Sequence, residues 1–226
     1  MILFRFLLIS TIVFSAIIFI IYQLGQFLMG SQSAKRKIEK DSDDLKAVLN
    51  EFVDGLVDLD IEELKIMSVN TVDKLVGKGL STYNKGVIST IYQEPIVAYA
   101  MRVYEKWDKM LLVARTKDDI FSIQSEGEKF KVFKNHQAFG TIEDDYTFYY
   151  AGAAVPEVSM NHINGQRVSK LIKDNKEIAH INMRDESLKF DTDRIFSLFH
   201  DVKPGYEDTL LVIALFHILV KSKIGK

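Results

Sequence analysis

Thr209-Leu210-Leu211-Val212-Ile213-Ala214-Leu215-Phe216-His217-Ile218-Leu219-Val220 is the stretch on which the fold turns. It is apolar on every side of a helix, and a helix without a polar face must be surrounded by protein or by lipid. At 1.5 Å per residue it is about 18 Å long, short of the ~30 Å hydrocarbon core of a bilayer. The run therefore predicts a buried core helix. Its only break, His217, reads as a core histidine with a satisfied nitrogen. Pro204-Gly205 precedes the helix, Glu207 and Asp208 open it, and Lys221 and Lys223 close it, in the order the helix dipole favours.

The residues ahead of that helix read as β. Val87 to Tyr92, Ile96 to Tyr104, Met110 to Arg115 and Ile120 to Ile123 are rich in branched and aromatic residues. Phe130 to Phe133, Gly140 to Ile142 and Tyr146 to Tyr150 follow. Val168 to Ile172, Ile178 to Met183, Leu188 to Phe190 and Ile195 to Phe199 complete the series. Asn164-Gly165 is a hairpin-turn signal. Ten or eleven short strands closed by frequent turns predict an antiparallel meander that forms a barrel or sandwich, with the apolar helix inside it.

Upstream the period changes. Leu45, Leu49, Phe52, Leu56 and Leu59 recur at three- and four-residue spacing, predicting one amphipathic helix over 41–59 with Asp41 or Ser42 as its N-cap. The stripe is too short for a confident coiled coil. Docking onto the following domain is the expected use, with self-association or a protein partner as the alternative. Residues 61–86 are mixed in pattern. Their glycines, Gly77-Lys78-Gly79 and Gly86, lack phosphate-loop spacing and read as turns.

At the other end, no charge occurs from Phe6 to Ile21, and the apolar character continues to Met29 apart from Gln23 and Gln26. That length spans a bilayer core, exceeds a signal-peptide core, and is followed by no A-x-A-like site, so an uncleaved single-pass anchor is expected. Lys35, Arg36, Lys37 and Lys40 follow it, against Arg5 on the other flank, which places the body in the cytoplasm by the positive-inside tendency. The same cations are candidates for contact with anionic lipid headgroups. The expected organisation is an anchor over 1–30, a basic segment and amphipathic helix over 31–84, and a β-barrel-like domain over 85–226.

Composition narrows the chemistry. The chain of 226 residues has net charge -2 and no cysteine, so it offers neither the basic excess of a nucleic-acid binder nor any thiolate chemistry. His136, His162, His180, His200 and His217 show no zinc-ligand spacing, and no nucleophile elbow is present. Asp118-Asp119, Asp144-Asp145 and Asp191/Asp193 read as turn residues, the last falling short of a calcium loop. No catalytic residue, metal or cofactor is expected. Trp107 is read as folding back onto the body, with membrane insertion as the alternative. Lys129, Lys131 and Lys134 read as a solvated strip, with anionic lipid as the alternative.

Three local features resemble the tubby C-terminal-like superfamily, which includes the scramblase-like and LURP-one-related proteins. They are Phe130-Lys131-Val132-Phe133 leading to Gly140-Thr141-Ile142, then Lys176 to Ile181 with its Ile-Ala pair, then Asp193 and Ile195 to Phe199 before Pro204, Asp208 and the closing helix. The likeness covers roughly residues 85–223. It implies a twelve-stranded barrel around a central helix and, more loosely, membrane or phosphoinositide association. The family's basic pocket finds no matching residues, and the separate N-terminal anchor departs from the scramblase-like pattern. The expected function is a membrane-anchored, non-enzymatic scaffold or lipid-headgroup-binding module. The alternatives are an enzyme or transport accessory with a site in the barrel, and a subunit of a larger membrane complex.

Overall fold

The structure is a computed structural model that describes residues 17–20, 34–77, 82–143, 145–162, 168–182, 194–198, 202 and 205–221. Two compact units divide the chain, residues 1–41 and 42–226. In the first, residues 17–20 and 34–41 are helical. No helix among the described residues is long and apolar enough to cross a membrane. The expected anchor over 1–30 lies outside the described residues except for Ile17 to Ile20, which are helical and exposed.

The second unit begins with helix α1 (residues 42–49) and a 3-10 turn, Asn50–Gly55. Asp41 and Ser42 are both helical and buried, so neither caps a helix start. The expected helix to 59 is also corrected. Beyond Gly55 the chain runs extended to Asp60, whose carboxylate accepts from the amides of Glu62 and Glu63 and caps the short helix α2 (Ile61–Lys65).

Twelve strands follow among the described residues. An eight-stranded antiparallel meander joins β1 (Met67–Val76), β2 (Tyr83–Thr90), β3 (Pro95–Tyr104), β4 (Lys109–Arg115), β5 (Ile120–Glu126), β6 (Lys129–Lys134), β7 (Gln137–Glu143) and β8 (Phe148–Tyr150). A four-stranded sheet orders β12 (Phe196–Leu198), β11 (Lys176–Asn182), β10 (Val168–Lys173) and β9 (Ser159–His162). The described strands make two sheets rather than one continuous ladder. Single antiparallel bridges, Ser68 to Arg194 and Phe148 to Val158, link their edges. The Leu188 to Phe190 strand and the Asn164-Gly165 turn lie outside the described residues, although β9 and β10 pair as that hairpin requires.

Register explains the core. In β3, Val97, Tyr99 and Met101 join the main cluster, as do Leu112 and Ala114 of β4. That cluster closes around α3 (Glu207–Leu215), in which Thr209 to Leu215 are fully buried. The expected core helix is therefore borne out. It widens into a π turn, Phe216–Lys221, where Phe216 packs edge-on to Phe130 at 4.8 Å and to Tyr146 at 5.2 Å. Gly140 has no room for a side chain, since a Cβ would meet the Tyr149 carbonyl at 2.3 Å and the Phe148 ring at 2.5 Å.

Ala98, Ala100, Leu111 and Val113 alternate with the core residues and are also buried, so they lie on the opposite face of the same two strands. α1 and the 3-10 turn are fastened across this outer face. Asn50 accepts from Arg115 of β4 at 2.6 Å, and Glu51 pairs with Lys85 of β2. The Val57 amide donates to the Pro95 carbonyl at 2.9 Å. The outward residues of β3 here are small, and Leu45, Leu49 and Leu56 of the segment are buried.

Candidate functional site

The proposed lipid-facing cations, Lys35, Arg36, Lys37 and Lys40, are all exposed on helical backbone, while Ala34 before them and Ile38 among them are buried. Positive charge is thus sorted to one side of that segment, a consequence of helical spacing.

The interaction stripe has a different setting. Leu45, Leu49 and Leu56 are 1%, 0% and 5% exposed, and Phe52 is half-buried with the Lys85 ammonium 5.3 Å from its ring centre. Lys46 reaches Asp43 and the Nδ1 of His136 in the β6–β7 turn, both at 3.2 Å, and Asp58 pairs with Lys117 at 2.8 Å. An apolar seam with a rim of polar clasps covers strands from β2 to the β6–β7 turn.

The strand lysines are engaged with acids. Lys129 binds Glu143 at 2.7 Å and Lys131 binds Glu126 at 2.6 Å. The Glu143 carboxylate pushes Lys129 above the usual lysine range. Lys134 lies three residues beyond Lys131, so strand alternation turns it to the other face, where it pairs across from Phe121. It bridges Asp119 at 2.9 Å and Asp208 of α3 at 2.5 Å, over the Phe121 ring. Burial alone would hold the Lys134 ammonium down, but the Asp208 and Asp119 carboxylates outweigh it and raise it. This cluster fastens the first turn of α3, together with the Tyr150–Thr209 hydroxyl contact at 3.1 Å.

At the other end of the helix, His217 is 7% exposed. Its Nδ1 lies 3.2 Å from the Tyr146 hydroxyl and its Nε2 lies 3.1 Å from the Asn182 carbonyl. Both ring nitrogens are bonded, where one was expected. Trp107 is half-buried and its ring leans on Tyr104 at 5.8 Å.

Among the described residues no group of three His, Asp or Glu side chains could hold a metal. Asp119 accepts from Asn135 at 2.6 Å and Asp145 from the Thr147 amide at 2.9 Å, the work of turn residues. Asp191 and Asp193 lie outside the described residues. Tyr99 is a buried phenol that sequence reasoning passed over. Burial pushes it up to about 12, opposed slightly by Thr71 nearby, although its hydroxyl makes no hydrogen bond of standard geometry among the described residues. The signal was Gly86, its cross-strand partner, where a Cβ would meet that hydroxyl at 2.9 Å.

Comparison with protein-family models, curated proteins and solved structures finds no match.

Proposed function

We propose that the chain is a membrane-tethered, non-enzymatic module whose β-rich body works as a scaffold beside an anionic lipid surface, contacted through Lys35, Arg36, Lys37 and Lys40. The observation that carries the reading is the grouping of cations. Those four are exposed together on helical backbone, directly after a long apolar run of the sequence. The body faces the cytoplasm in this reading, with the apolar segment over 1–30 as its single crossing. The stripe of Leu45, Leu49, Phe52 and Leu56 serves to dock the tether onto the body.

The twelve strands and the buried closing helix also support the tubby-like resemblance. In this reading, the two sheets and their edge bridges make one barrel around α3.

Co-sedimentation of residues 31–226 with vesicles tests the lipid contact, after circular dichroism has verified the fold. Binding is expected to vesicles with anionic lipid at low salt and to weaken by about 1 kcal/mol per charge as the four cations are changed to Gln. Equal recovery with neutral and anionic vesicles would remove the lipid role and leave the scaffold.

A further inference from the structure

The turns of an antiparallel meander alternate between its two ends, so the strand order sorts them. The β2–β3, β4–β5 and β6–β7 turns share one end, and β8 runs back toward it. The loop over 151–156 leaves there: the Ala151 amide donates at 3.0 Å to the carbonyl of Phe139, near the start of β7. The β3–β4 connection, which carries Trp107, and the β5–β6 turn lie at the other end. The chain enters the body at the first of these ends. Asn50 reaches Arg115 at the close of β4, and Lys46, four residues earlier, reaches His136 in the β6–β7 turn. Traced backward to Ser42, where the body begins, α1 therefore crosses the sheet in the direction of β8.

Ala151-Gly152-Ala153-Ala154-Val155-Pro156 contains no charge, and every one of these residues is exposed, Val155 by 74%. The charge that follows is neutralised: Glu157 pairs with Lys173, whose ammonium also lies over the Tyr206 ring at 4.5 Å. Backbone bonds hold the loop in shape, from Ala151 to Phe139 and from the Ala153 amide to the Tyr150 carbonyl at 3.0 Å. An apolar tip of this kind enters the headgroup boundary of a bilayer without desolvating an ion. Val72, Leu75 and Val103 are exposed too, but Asp73 and Lys74 stand between the first two and Arg102 precedes the third, so entry there brings charge with it.

We propose that the 151–156 loop rests in the headgroup boundary of the bilayer that holds the N-terminal segment, so that the body meets the membrane at this end. The proposal rests on the membrane-tethered reading above and adds a second contact to it, apolar where the first is cationic. Trp107 then points away from the lipid. It follows β3, a strand of 10 residues that separates the two ends by about 30 Å.

The test is tryptophan quenching in the full chain, reconstituted in vesicles of phosphatidylcholine with brominated acyl chains and compared with unbrominated ones. In a Trp107→Phe background, single tryptophans are placed by Val155→Trp and by Glu128→Trp. Glu128 is exposed in the β5–β6 turn at the far end, so the ring's own preference for lipid is common to both variants. Ile17→Trp reports the tether separately. Loss of emission and a blue shift are expected at position 155, with position 128 and the native Trp107 unquenched. Quenching at 17 with position 155 no more quenched than 128 overturns the loop contact and leaves the tether standing. No quenching at 17 removes the tether, and the loop contact with it. Should Val155→Trp fail to fold by circular dichroism, Ala154→Cys carrying an environment-sensitive dye replaces it, since the chain has no other cysteine. Emission from that dye typical of water overturns the proposal, and emission typical of the lipid boundary supports it.

Discussion

Strands β3 and β4 carry a helix on each face, and the two helices are held in opposite ways. Inside, α3 is apolar all round and every side chain from Thr209 to Leu215 is buried, with polar fastenings kept to its ends at Asp208, Thr209 and His217. Outside, α1 and its 3-10 turn bury one stripe and spread their polar clasps along their length. The contrast shows what each pattern can do. A helix without a polar face has to be enclosed, so its position follows from the closing of the sheets around it. A striped helix has one wet side and is positioned by the surface it lands on.

Changes at the inner helix are expected to cost most. Phe216→Ala removes a ring that meets Phe130 and Tyr146 in the core, and should destabilise the body by about 3–5 kcal/mol in a denaturant titration. A loss under 1 kcal/mol would mean that the helix is not enclosed. On the outer side, Leu49→Ala should cost about 2–3 kcal/mol, at the lower end for a buried leucine because a one-sided segment can settle into the gap.

The outer rim should matter less. Asn50→Ala removes the acceptor for Arg115 at a partly wet site, with an expected loss of about 1 kcal/mol and faster trypsin cleavage at Lys46. Unchanged cleavage would show that the clasp does not hold the segment down.

The last effect is confined to high pH and is absent near neutrality. Tyr99 is raised from 10.0 to about 12 by burial, so the folded form keeps a proton that the unfolded chain has lost. Stability from this group is complete below pH 10 and falls as pH rises toward 12. Tyr99→Phe should flatten that fall in a thermal-melt series, and identical slopes would place the phenol in water.

Much of the inner architecture was legible. Thr209 to Val220 read as core rather than as a span because of its length, and most strands announced themselves through Val, Ile, Phe and Tyr. β1 was not legible, because Asn70 to Val76 shows no two-residue alternation and its apolar Val72 and Leu75 are exposed, so no face stands out. The two-residue turns at Asn135-His136 and Asp174-Asn175 could not be placed residue by residue, since both adopt positive φ without the glycine that normally marks it. The stripe of Leu45, Leu49 and Leu56 was visible as a stripe, but its landing place was not. That depended on partners far along the chain, Lys85, Pro95, Arg115 and His136, which only the strand register brings together. The cations at Lys35 to Lys40 were read from their place after the apolar run, and geometry adds that all four are exposed.

The account rests on the closing helix being inside the body while the N-terminal segment is in lipid. The chain has one tryptophan, Trp107, so a Trp107→Phe background gives a silent start. Single tryptophans are then placed by Ile17→Trp and by Phe216→Trp, and the full chain is reconstituted in vesicles containing brominated lipid. Strong quenching at position 17 and blue-shifted, unquenched emission at position 216 is the result expected. Equal quenching at the two positions would put the closing helix in the bilayer and contradict the account.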